Sequence, residues 1–332
     1  MTGKPIAVVT GGAGFIGSHM ADNLLDHGYR VRAMDNFAGG HERNIAHLAG
    51  NPDFTFERGD IRSLDAGHAL FDAARYVFHF AGIGDIVPSI ERPLEYMAVN
   101  VQGTARVLEC ARHAGVLKLV YAASSSCYGL AATPTREDHP IAPQYPYALS
   151  KYQGEQACFH WRQVYRLPVN SIRIFNAYGT RVRTTGAYGA VFGVFFRQKL
   201  AGRPYTVVGD GTQRRDFLYV TDVAEAFRLA AESQREGEIW NLGAGNPQSV
   251  NRLIELLGGE KIFIPRRPGE PDCTWADITR ISRDLGWRPQ VPFEEGVARM
   301  LREIEVWRDA PLWDPASIAQ ATRTWFQYLG KN

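Results

Sequence analysis

The chain has 332 residues, of which 45% are hydrophobic and 22% charged, enough for a sizeable core and about two domains. Its 37 Lys and Arg residues against 35 Asp and Glu residues give a formal net charge of +2, which provides no electrostatic case for binding nucleic acid or an anionic membrane. It shows no signal peptide, no apolar stretch near the roughly 20 residues of a membrane helix and no metal-ligand spacing among its four cysteines, so we expect a cytoplasmic protein without a bound metal.

The first half of the sequence alternates strand-like and helix-like patterns. Residues 6–10 and 30–35 are predicted strands, and Phe15 to His27 between them is a predicted helix. Further predicted strands are FTFERGD (54–60), YVFHFAG (76–82), LKLVYAASS (117–125) and VNSIRIF (169–175). Strands that alternate with helices at this spacing indicate parallel βαβ units and a doubly wound sheet.

After Asn176 the pattern becomes less regular. Short predicted strands, PYTVVGD and KIFIP, lie among turns, whereas EIWNLGAG is predicted to rejoin the large sheet. We therefore expect one domain from residues 1–176 plus about 219–246, and a smaller α/β domain from about 177–218 plus 247–332. The stretch from Trp307 has apolar residues at helical spacing and is predicted to be a helix packed on the body; they are Ile318, Ala321, Trp325 and Tyr328.

A glycine-rich turn follows the first predicted strand. TGGAGFIGS places Gly11, Gly14 and Gly17 where a tight turn, close approach to a pyrophosphate and helix–strand packing require glycine. The helix that follows presents free N–H groups to phosphate. Asp35 ends the second strand, where a carboxylate accepts hydrogen bonds from the adenosine ribose and repels a 2′-phosphate. The pattern predicts a Rossmann-type α/β fold that binds NAD rather than NADP.

Tyr147 and Lys151 stand four residues apart in YALSK, on one face of a predicted helix. A phenol with a pKa of about 10 is a poor base, and lowering that pKa to about 7 takes about 4 kcal/mol. A close ammonium, helped by an oxidised nicotinamide, can supply this. Ser124 ends a predicted parallel strand, where side chains face the ligand cleft, so it can hold a substrate hydroxyl beside the tyrosine.

Together these motifs resemble the extended short-chain dehydrogenase/reductase family, in its NAD-dependent sugar epimerase/dehydratase branch, from about residue 6 to residue 300. The motifs are TGGAGFIGS, GDI (59–61), HFAG (79–82), Asn100 in VNVQGT, the serine run 124–126, YALSK, FNAYG (175–179), RRDFLYVTDV (214–223) and RRPGEPD (266–272). The resemblance implies a cytoplasmic enzyme, and a homodimer built from helices near Leu94–Ala114 and Tyr147–Tyr165.

The resemblance also assigns the site residues. It implies that Ser124, Tyr147 and Lys151 are catalytic. The residues that it places around NAD are Gly11, Gly14, Phe15, Ile16, Gly17, Asp35, Asn36, Asp60, Ile61, Ala81, Gly82, Asn100, Tyr147 and Lys151. Those that it places around a nucleotide sugar, by default UDP-linked, are Ser125, Ser126, Asn176, Arg183, Val191, Arg215, Arg267 and Glu270. The resemblance assigns Arg215 and Arg267 to the pyrophosphate, and arginine suits that role because a guanidinium presents planar, bidentate donors.

Three reactions are usual in this branch: 4-epimerisation, 4,6-dehydration and decarboxylation of a uronate. All begin with hydride transfer from C4 to NAD while the tyrosine takes the O4 proton. Dehydratases carry an Asp-Glu pair just after the catalytic Ser/Thr, and decarboxylases commonly a glutamate in the second place. This chain has Ser125 and Ser126, which are poor acids and bases near neutral pH. The resemblance therefore implies 4-epimerisation through a transient 4-keto sugar, with NAD retained between cycles.

The sequence leaves the sugar open between a UDP-hexose, a UDP-N-acetylhexosamine and a UDP-uronate. Thr274, beside Cys273, stands where galactose epimerases have a bulky residue near the C2 substituent, which leaves space for an acetamido group. Arg183, two residues after Arg181, lies near the carboxylate-binding arginine of uronate epimerases. A dehydratase, a decarboxylase, a 4-keto reductase and a non-catalytic NAD-sensing protein are the alternatives; the serine, tyrosine and lysine together disfavour the last.

Overall fold

The computed structural model describes residues 3–185 and 191–330. The strands are β1 (Ile6–Thr10), β2 (Arg30–Asp35), β3 (Phe54–Arg58), β4 (Tyr76–His79), β5 (Lys118–Ser124), β6 (Val169–Ile174), β7 (Asn176–Tyr178), β8 (Tyr205–Val208), β9 (Arg214–Arg215), β10 (Phe217–Tyr219), β11 (Ile239–Leu242), β12 (Gln248–Ser249) and β13 (Lys261–Ile264). The helices are α1 (Phe15–Asp26), α2 (Ile86–Glu91), α3 (Pro93–Met97), α4 (Thr104–His113), α5 (Pro146–Tyr165), α6 (Val191–Leu200), α7 (Val220–Glu232), α8 (Val250–Leu257), α9 (Thr279–Leu285), α10 (Phe293–Arg302), α11 (Pro315–Ala321) and α12 (Arg323–Leu329). Within these two ranges, no helix has the length and apolar character needed to cross a membrane.

Seven of the strands form one parallel sheet in the order β11–β6–β5–β4–β1–β2–β3. Strands β5 and β6 are buried along their whole length, as expected where helices cover both faces of a parallel sheet. The strand order reverses at β1, which has β2 on one side and β4 on the other. Such a reversal opens a crevice beyond the carboxyl ends of these strands, where ligands bind. The predicted Rossmann-type, doubly wound sheet is confirmed.

Apolar side chains form a separate core layer on each face of this sheet. On one face, Leu24 of α1 packs with Phe227 of α7 and Trp240 of β11. On the other face, Leu108 of α4 packs with Cys158 of α5. Strand β11 pairs with β6 in parallel, so EIWNLGAG does return to the large sheet. The residue limits of the two domains stay a prediction.

A smaller α/β unit has its own apolar core. Phe196 of α6 and Tyr205 of β8 are buried with Leu253 of α8 and Val297 of α10. Strands β8 and β13 pair in parallel within this unit, at the two places where the sequence predicts short strands. Helices α6 and α8 pack with β8 in this core, whereas β13 is largely exposed. The sequence prediction of a smaller α/β unit is thus confirmed.

A buried ion pair fixes helix α5 to the sheet. Glu155 of α5 and Arg173 of β6 are 2.6 Å apart, and their side chains are 1% and 4% exposed. The same arginine donates a hydrogen bond of 2.7 Å to the Tyr128 hydroxyl. Buried charges persist only when they are paired and hydrogen-bonded, as these are. The pair therefore sets the position of the helix that carries Tyr147 and Lys151.

The C-terminal segment forms two short helices rather than the single helix that its apolar spacing predicts. Thr322 separates α11 from α12, and its hydroxyl donates a hydrogen bond of 2.8 Å to the carbonyl of Ile318. Such side-chain bonding to the preceding turn competes with the regular helix ladder. Ile318 and Trp325 are buried, whereas Tyr328 is 61% exposed.

The two helical regions predicted to form a dimer expose large apolar side chains. Leu94 in α3 is 82% exposed, and Val164 and Tyr165 at the end of α5 are 51% and 47% exposed. Scattered exposed apolar residues are common on monomeric proteins as well. The homodimer therefore stays a prediction.

Candidate active site

The loop between β1 and α1 has room only for glycine at two positions. Gly11 has a φ of +72°, and a Cβ there would lie 2.7 Å from the backbone nitrogen of Ala81. A Cβ on Gly17 would lie 2.1 Å from the carbonyl oxygen of Gly11. Gly14 caps α1 without a side-chain hydrogen bond, so the N–H groups of the first turn remain available to an anion. This cradle fits the pyrophosphate of a dinucleotide.

Asp35 ends β2 beside this glycine loop. Its carboxylate accepts hydrogen bonds of 3.1 Å from the Ala13 amide and 2.7 Å from the Phe37 amide. The side chain is buried, and burial raises the pKa of Asp35 although these backbone bonds oppose the shift. The carboxylate is therefore oriented by the backbone at the place where a ribose hydroxyl would donate to it.

Asn36 and Asp60 form the rim next to Asp35. The Asn36 amide donates a hydrogen bond of 3.0 Å to Asp60, and Arg62 lies 2.6 Å from the same carboxylate. The hydrogen bond from Arg62 holds the pKa of Asp60 well below its usual range. Because Asp60 pairs with this guanidinium, the charge that Arg62 could offer a 2′-phosphate is balanced by a carboxylate. The rim thus also favours NAD over NADP.

Asn100 holds the loop after β4 in place. It lies in a π-helical segment, Ala98–Gly103, between α3 and α4; such segments are frequent at functional sites. Its amide oxygen accepts a 2.9 Å hydrogen bond from the Ile83 N–H, and its amide nitrogen donates to the Ile83 carbonyl at 3.0 Å and to Ser150 at 2.9 Å. Asn100 therefore positions the Ala81–Gly82 backbone against α5 rather than lining the cleft itself.

Ser124 and Tyr147 meet at the carboxyl end of the sheet. Ser124 is the last residue of β5, and Tyr147 lies in the first turn of α5 behind Pro146. The Tyr147 hydroxyl donates a hydrogen bond of 3.3 Å to the Ser124 hydroxyl. One turn further along α5, the Lys151 ammonium lies 4.4 Å from the centre of the Tyr121 ring. The structure brings these residues together, and their catalytic roles stay a prediction.

Burial sets the protonation of this pair in the protein alone. Burial raises the pKa of Tyr147, the hydrogen bond with Ser124 lowers it, and the charge of Asp85 raises it again. Burial lowers the pKa of Lys151 from 10.5 to about 8. In the protein alone, desolvation prevails and the pKa of Tyr147 is raised. An additional positive charge in the site, such as an oxidised nicotinamide, favours the phenolate.

The serine run continues from Ser124 into a 3₁₀ turn. The Ser126 amide donates a hydrogen bond of 3.2 Å to the Ser124 hydroxyl, and both Ser125 and Ser126 line the cleft. Tyr145 lies next to them; burial raises its pKa to about 12, and its hydrogen bond with Ser126 opposes that shift. None of these hydroxyls is a ready general acid or base near neutral pH.

Two arginines share one carboxylate, and none of the three side chains lines the large cleft. Arg215 lies 2.7 Å from Glu270, and Arg267 lies 3.0 Å from the same side chain. All three are largely buried, with side-chain exposures of 13%, 16% and 19% for Arg215, Arg267 and Glu270. The cluster keeps one net positive charge, and Glu270 orients both guanidinium groups. Such an arrangement suits a pyrophosphate.

Asn176 and Thr274 lie between this cluster and the serine run. The Thr274 hydroxyl donates a hydrogen bond of 2.5 Å to the Asn176 amide oxygen, and Asn176 lines the cleft. Val191, also predicted at the sugar site, begins α6 and packs against the core of the smaller unit. Gly193 and Val194, one turn later, line the cleft instead. The substrate roles of Asn176 and Val191 stay predictions.

Arg183 and Arg181 have different partners. Arg183 lines the large cleft and lies 2.6 Å from Asp85. Arg181, at a φ of +63°, lies 2.7 Å from Asp22 of α1 and lines a separate, smaller cavity. Of the two arginines considered for a uronate, only Arg183 thus faces the cleft.

The C-terminal helix α12 reaches this site through Trp325. Its indole nitrogen donates a hydrogen bond of 2.7 Å to the carbonyl of Pro268. Its ring lies 5.7 Å from the Arg267 guanidinium carbon and 6.2 Å from the Tyr145 ring. Tyr145 is stacked in turn on Tyr147, with ring centres 6.3 Å apart and planes inclined by 8°. An aromatic row therefore links α12 to the candidate catalytic tyrosine.

One cleft of about 660 Å³ collects most of these groups. Every residue predicted to contact NAD lines it except Asn100, and Ser125, Ser126, Asn176 and Arg183 line it as well. Glu270 lines a neighbouring cavity of about 240 Å³ together with Val208 and Arg266. In the part of the chain that the structure describes, no group of three His, Cys, Asp or Glu side chains could hold a metal ion.

Three residues of this site escape the sequence analysis. Asp85 is hidden because its partner Arg183 lies 98 positions away. Tyr145 lies two residues before Tyr147, and this proximity in sequence is the only feature that could have pointed to a place in the site. Trp325 belongs to an apolar pattern that predicts only packing on the body of the protein.

Comparison with known proteins gives consistent matches. The family model described as "NAD dependent epimerase/dehydratase family" matches residues 7–243. A UDP-glucose 4-epimerase of Mycolicibacterium smegmatis is 38% identical over 302 residues, covering 88% of this chain and 96% of that protein. The structure of a Bacillus cereus UDP-glucuronic acid 4-epimerase with UDP-glucuronic acid and NAD has a TM-score of 0.84 and 32% identity, covering 91% and 99%. A Thermotoga maritima UDP-glucose 4-epimerase with UDP-glucose has a TM-score of 0.83 and 31% identity, also covering 91% and 99%.

Proposed function

Since the chain belongs to the NAD-dependent epimerase/dehydratase family, we propose that it is an epimerase that inverts C4 of a UDP-linked sugar. The observation that carries this proposal is the Ser124–Tyr147 hydrogen bond of 3.3 Å, followed in sequence by serines rather than by a carboxylate pair. The similarity to UDP-sugar 4-epimerases along nine-tenths of the chain supports the same reaction.

The proposed cycle divides the work among three side chains. Tyr147 takes the proton from the O4 hydroxyl and later returns it, while Ser124 hydrogen-bonds that oxygen. Lys151 adds a positive charge that favours the phenolate. The glycine loop and Asp35 would hold NAD, which would accept the hydride from C4, return it to the opposite face and add a second positive charge. The 4-keto sugar then turns within the cleft and is reduced on its opposite face.

The residues after Ser124 separate epimerisation from elimination. Removal of water across C5 and C6 needs a group that takes a proton and a group that gives one. Ser125 and Ser126 offer only hydroxyls at those places, and the neighbouring Tyr145 has a pKa raised to about 12 by burial. The ketone consequently has no partner for elimination there and is returned to an alcohol.

A panel of UDP-glucose, UDP-N-acetylglucosamine and UDP-glucuronate, with products resolved by NMR, tests this proposal. We expect the C4 epimer of at least one sugar, without added NAD, from protein that already carries the cofactor. NAD occupancy is measured in the same preparation after release by denaturation. A 4-keto-6-deoxy product, or release of carbon dioxide, would show that the enzyme belongs to another branch of the family.

Replacing Trp325 by alanine tests the contribution of α12 to substrate binding. The indole covers the face of Arg267 at 5.7 Å and holds Pro268, so its loss leaves the proposed pyrophosphate ligand less ordered. A desolvated cation–π contact is worth about 1–2 kcal/mol, so we expect KM to rise about 5- to 30-fold with little change in kcat.

Steady-state kinetics of three variants check this prediction. Trp325→Phe keeps an aromatic face and should restore most of the affinity. Phe326→Ala, on the same helix with a side chain 41% exposed, is the matched control. Equal KM values for Trp325→Ala and Phe326→Ala would mean that Trp325 serves only to pack α12.

A further inference from the structure

An ion pair lies beside the candidate catalytic tyrosine. The Arg183 guanidinium is 2.6 Å from the Asp85 carboxylate, and both side chains line the large cleft. The backbone of the preceding residue runs against the tyrosine, because a Cβ on Gly84 would lie 3.9 Å from the Tyr147 hydroxyl oxygen. The pair therefore stands next to the group that would act on O4, and C6 is attached to C5, the carbon bonded to C4, so a C6 substituent can reach the pair.

Asp85 lies at the start of α2, with its side chain 36% exposed. It precedes α2 as its N-cap but makes no capping hydrogen bond, so its carboxylate is directed to Arg183 instead. Tyr96, which is 1% exposed, packs edge-on against Tyr147 with ring centres 6.4 Å apart. Burial raises the pKa of Tyr96, and the charge of Asp85 raises it further.

We propose that Asp85 and Arg183 select nucleotide sugars whose C6 carries no charge, such as UDP-hexoses with a hydroxymethyl group, and disfavour uronates. This inference rests on the proposed function and specifies its substrate class. A hydroxymethyl group can donate a hydrogen bond to Asp85 and accept one from Arg183. A uronate carboxylate would have to displace Asp85 or share the guanidinium with it, and two close carboxylates disfavour each other's charge.

The neighbouring cations are already engaged. Arg181 lies 2.7 Å from Asp22, and Arg215 and Arg267 both contact Glu270. None of these three lines the large cleft, as Arg183 does. An arginine that would bind a uronate is thus neutralised by the protein's own carboxylate.

Replacing Asp85 by asparagine tests this inference. We expect the unaltered enzyme to favour UDP-glucose over UDP-glucuronate by about a hundredfold in kcat/KM. The Asp85→Asn variant should raise kcat/KM for UDP-glucuronate about tenfold or more, because a freed guanidinium can form a charged hydrogen bond with the substrate. The double variant Asp85→Asn/Arg183→Ala should lose that gain, since the freed cation is gone.

The matched control is Asp138→Asn. Asp138 lies 3.2 Å from Arg136 in an exposed ion pair outside the cleft, so this variant removes the same charge from a pair that does not line the cleft. It should leave the ratio of kcat/KM for UDP-glucose to kcat/KM for UDP-glucuronate unchanged. A wild-type preference for UDP-glucuronate, or an Asp85→Asn variant with the wild-type ratio, would overturn the inference.

Calorimetric titration of the NAD-loaded protein separates this inference from the proposed function. Suppose that no sugar is epimerised, yet UDP-glucose binds more tightly than UDP-glucuronate and Asp85→Asn removes the difference. The proposed reaction is then wrong, whereas the inference that Asp85 and Arg183 select sugars with an uncharged C6 is supported. If sugars are epimerised but UDP-glucose and UDP-glucuronate bind equally well, the proposed reaction is supported and the inference about Asp85 and Arg183 is wrong.

Discussion

The Tyr147→Phe variant should bind NAD and the UDP-sugar normally but turn over about 10²- to 10⁴-fold more slowly, the range that general acid–base groups contribute. The substitution removes only the hydroxyl that donates to Ser124 at 3.3 Å. The ring remains, so its stacking on Tyr145 and its edge contact with Tyr96 are kept. The loss should therefore appear in kcat and not in the binding of either ligand.

Single-turnover kinetics at 340 nm, together with titration of the UDP-sugar, measure these two quantities separately. Tyr165→Phe is the matched control, because Tyr165 ends the same helix and is 47% exposed. It should retain wild-type rates. If Tyr147→Phe interconverts sugars at the wild-type rate, proton transfer must use another group and the proposed cycle fails.

The Lys151→Met variant should lose activity by a similar factor for a different reason. Without the ammonium, the phenolate of Tyr147 loses a stabilising charge, so the pKa of the phenol rises. The acidic limb of the pH dependence of kcat should then move to higher pH, by about 1–2 units. Tyr147→Phe, in contrast, should show no such limb because the titrating hydroxyl is absent. If kcat falls but the acidic limb of its pH dependence does not move, Lys151 does not set the pKa of Tyr147 and contributes only to binding.

The same variant should be more stable than the parent protein. Burial lowers the pKa of Lys151 from 10.5 to about 8, so the fold disfavours its charged form. Below about pH 8 the lysine is charged in both the folded and the unfolded chain, and the full penalty applies; it disappears as the pH approaches 10.5. Methionine carries no such penalty, and we expect the free energy of unfolding at pH 7 to rise by about 1–3 kcal/mol.

Urea denaturation of NAD-free protein at pH 7 and at pH 10 measures this difference. Cofactor must be removed because a ligand that binds only the folded state adds stability of its own. The advantage of Lys151→Met should shrink at the higher pH. A variant that is less stable at pH 7 would mean that the contact between the ammonium and the Tyr121 ring, at 4.4 Å, outweighs desolvation.

The sequence predicts best where a local pattern has a steric reason. Gly11 and Gly17 stand where any Cβ would collide with backbone, so the glycine spacing alone predicts the turn and the strand and helix beside it. The alternation of strand and helix patterns likewise predicts the parallel sheet. These features depend on residues close in the chain, and the structure agrees with them.

The sequence predicts least where partners are distant or where burial decides. The Asp85–Arg183 pair joins residues 98 positions apart, and the sequence around either residue does not predict the other as its partner. The burial that raises the pKa of Tyr147 in the protein alone depends on the whole fold, and the spacing of Tyr147 and Lys151 does not show it. The single C-terminal helix fails at Thr322, whose hydroxyl bonds the preceding turn. Each miss involves an energy that depends on the assembled fold.

The site is divided along the chain in a way that bears on recombination. The groups that would act on C4 and hold NAD all lie at or before Lys151, whereas the proposed pyrophosphate ligands begin at Arg215. Those later residues contact one another, Arg215 and Arg267 through Glu270. A genetic crossover between Lys151 and β6 would transfer the proposed pyrophosphate ligands together, but it would also transfer strands β6 and β11 of the large sheet.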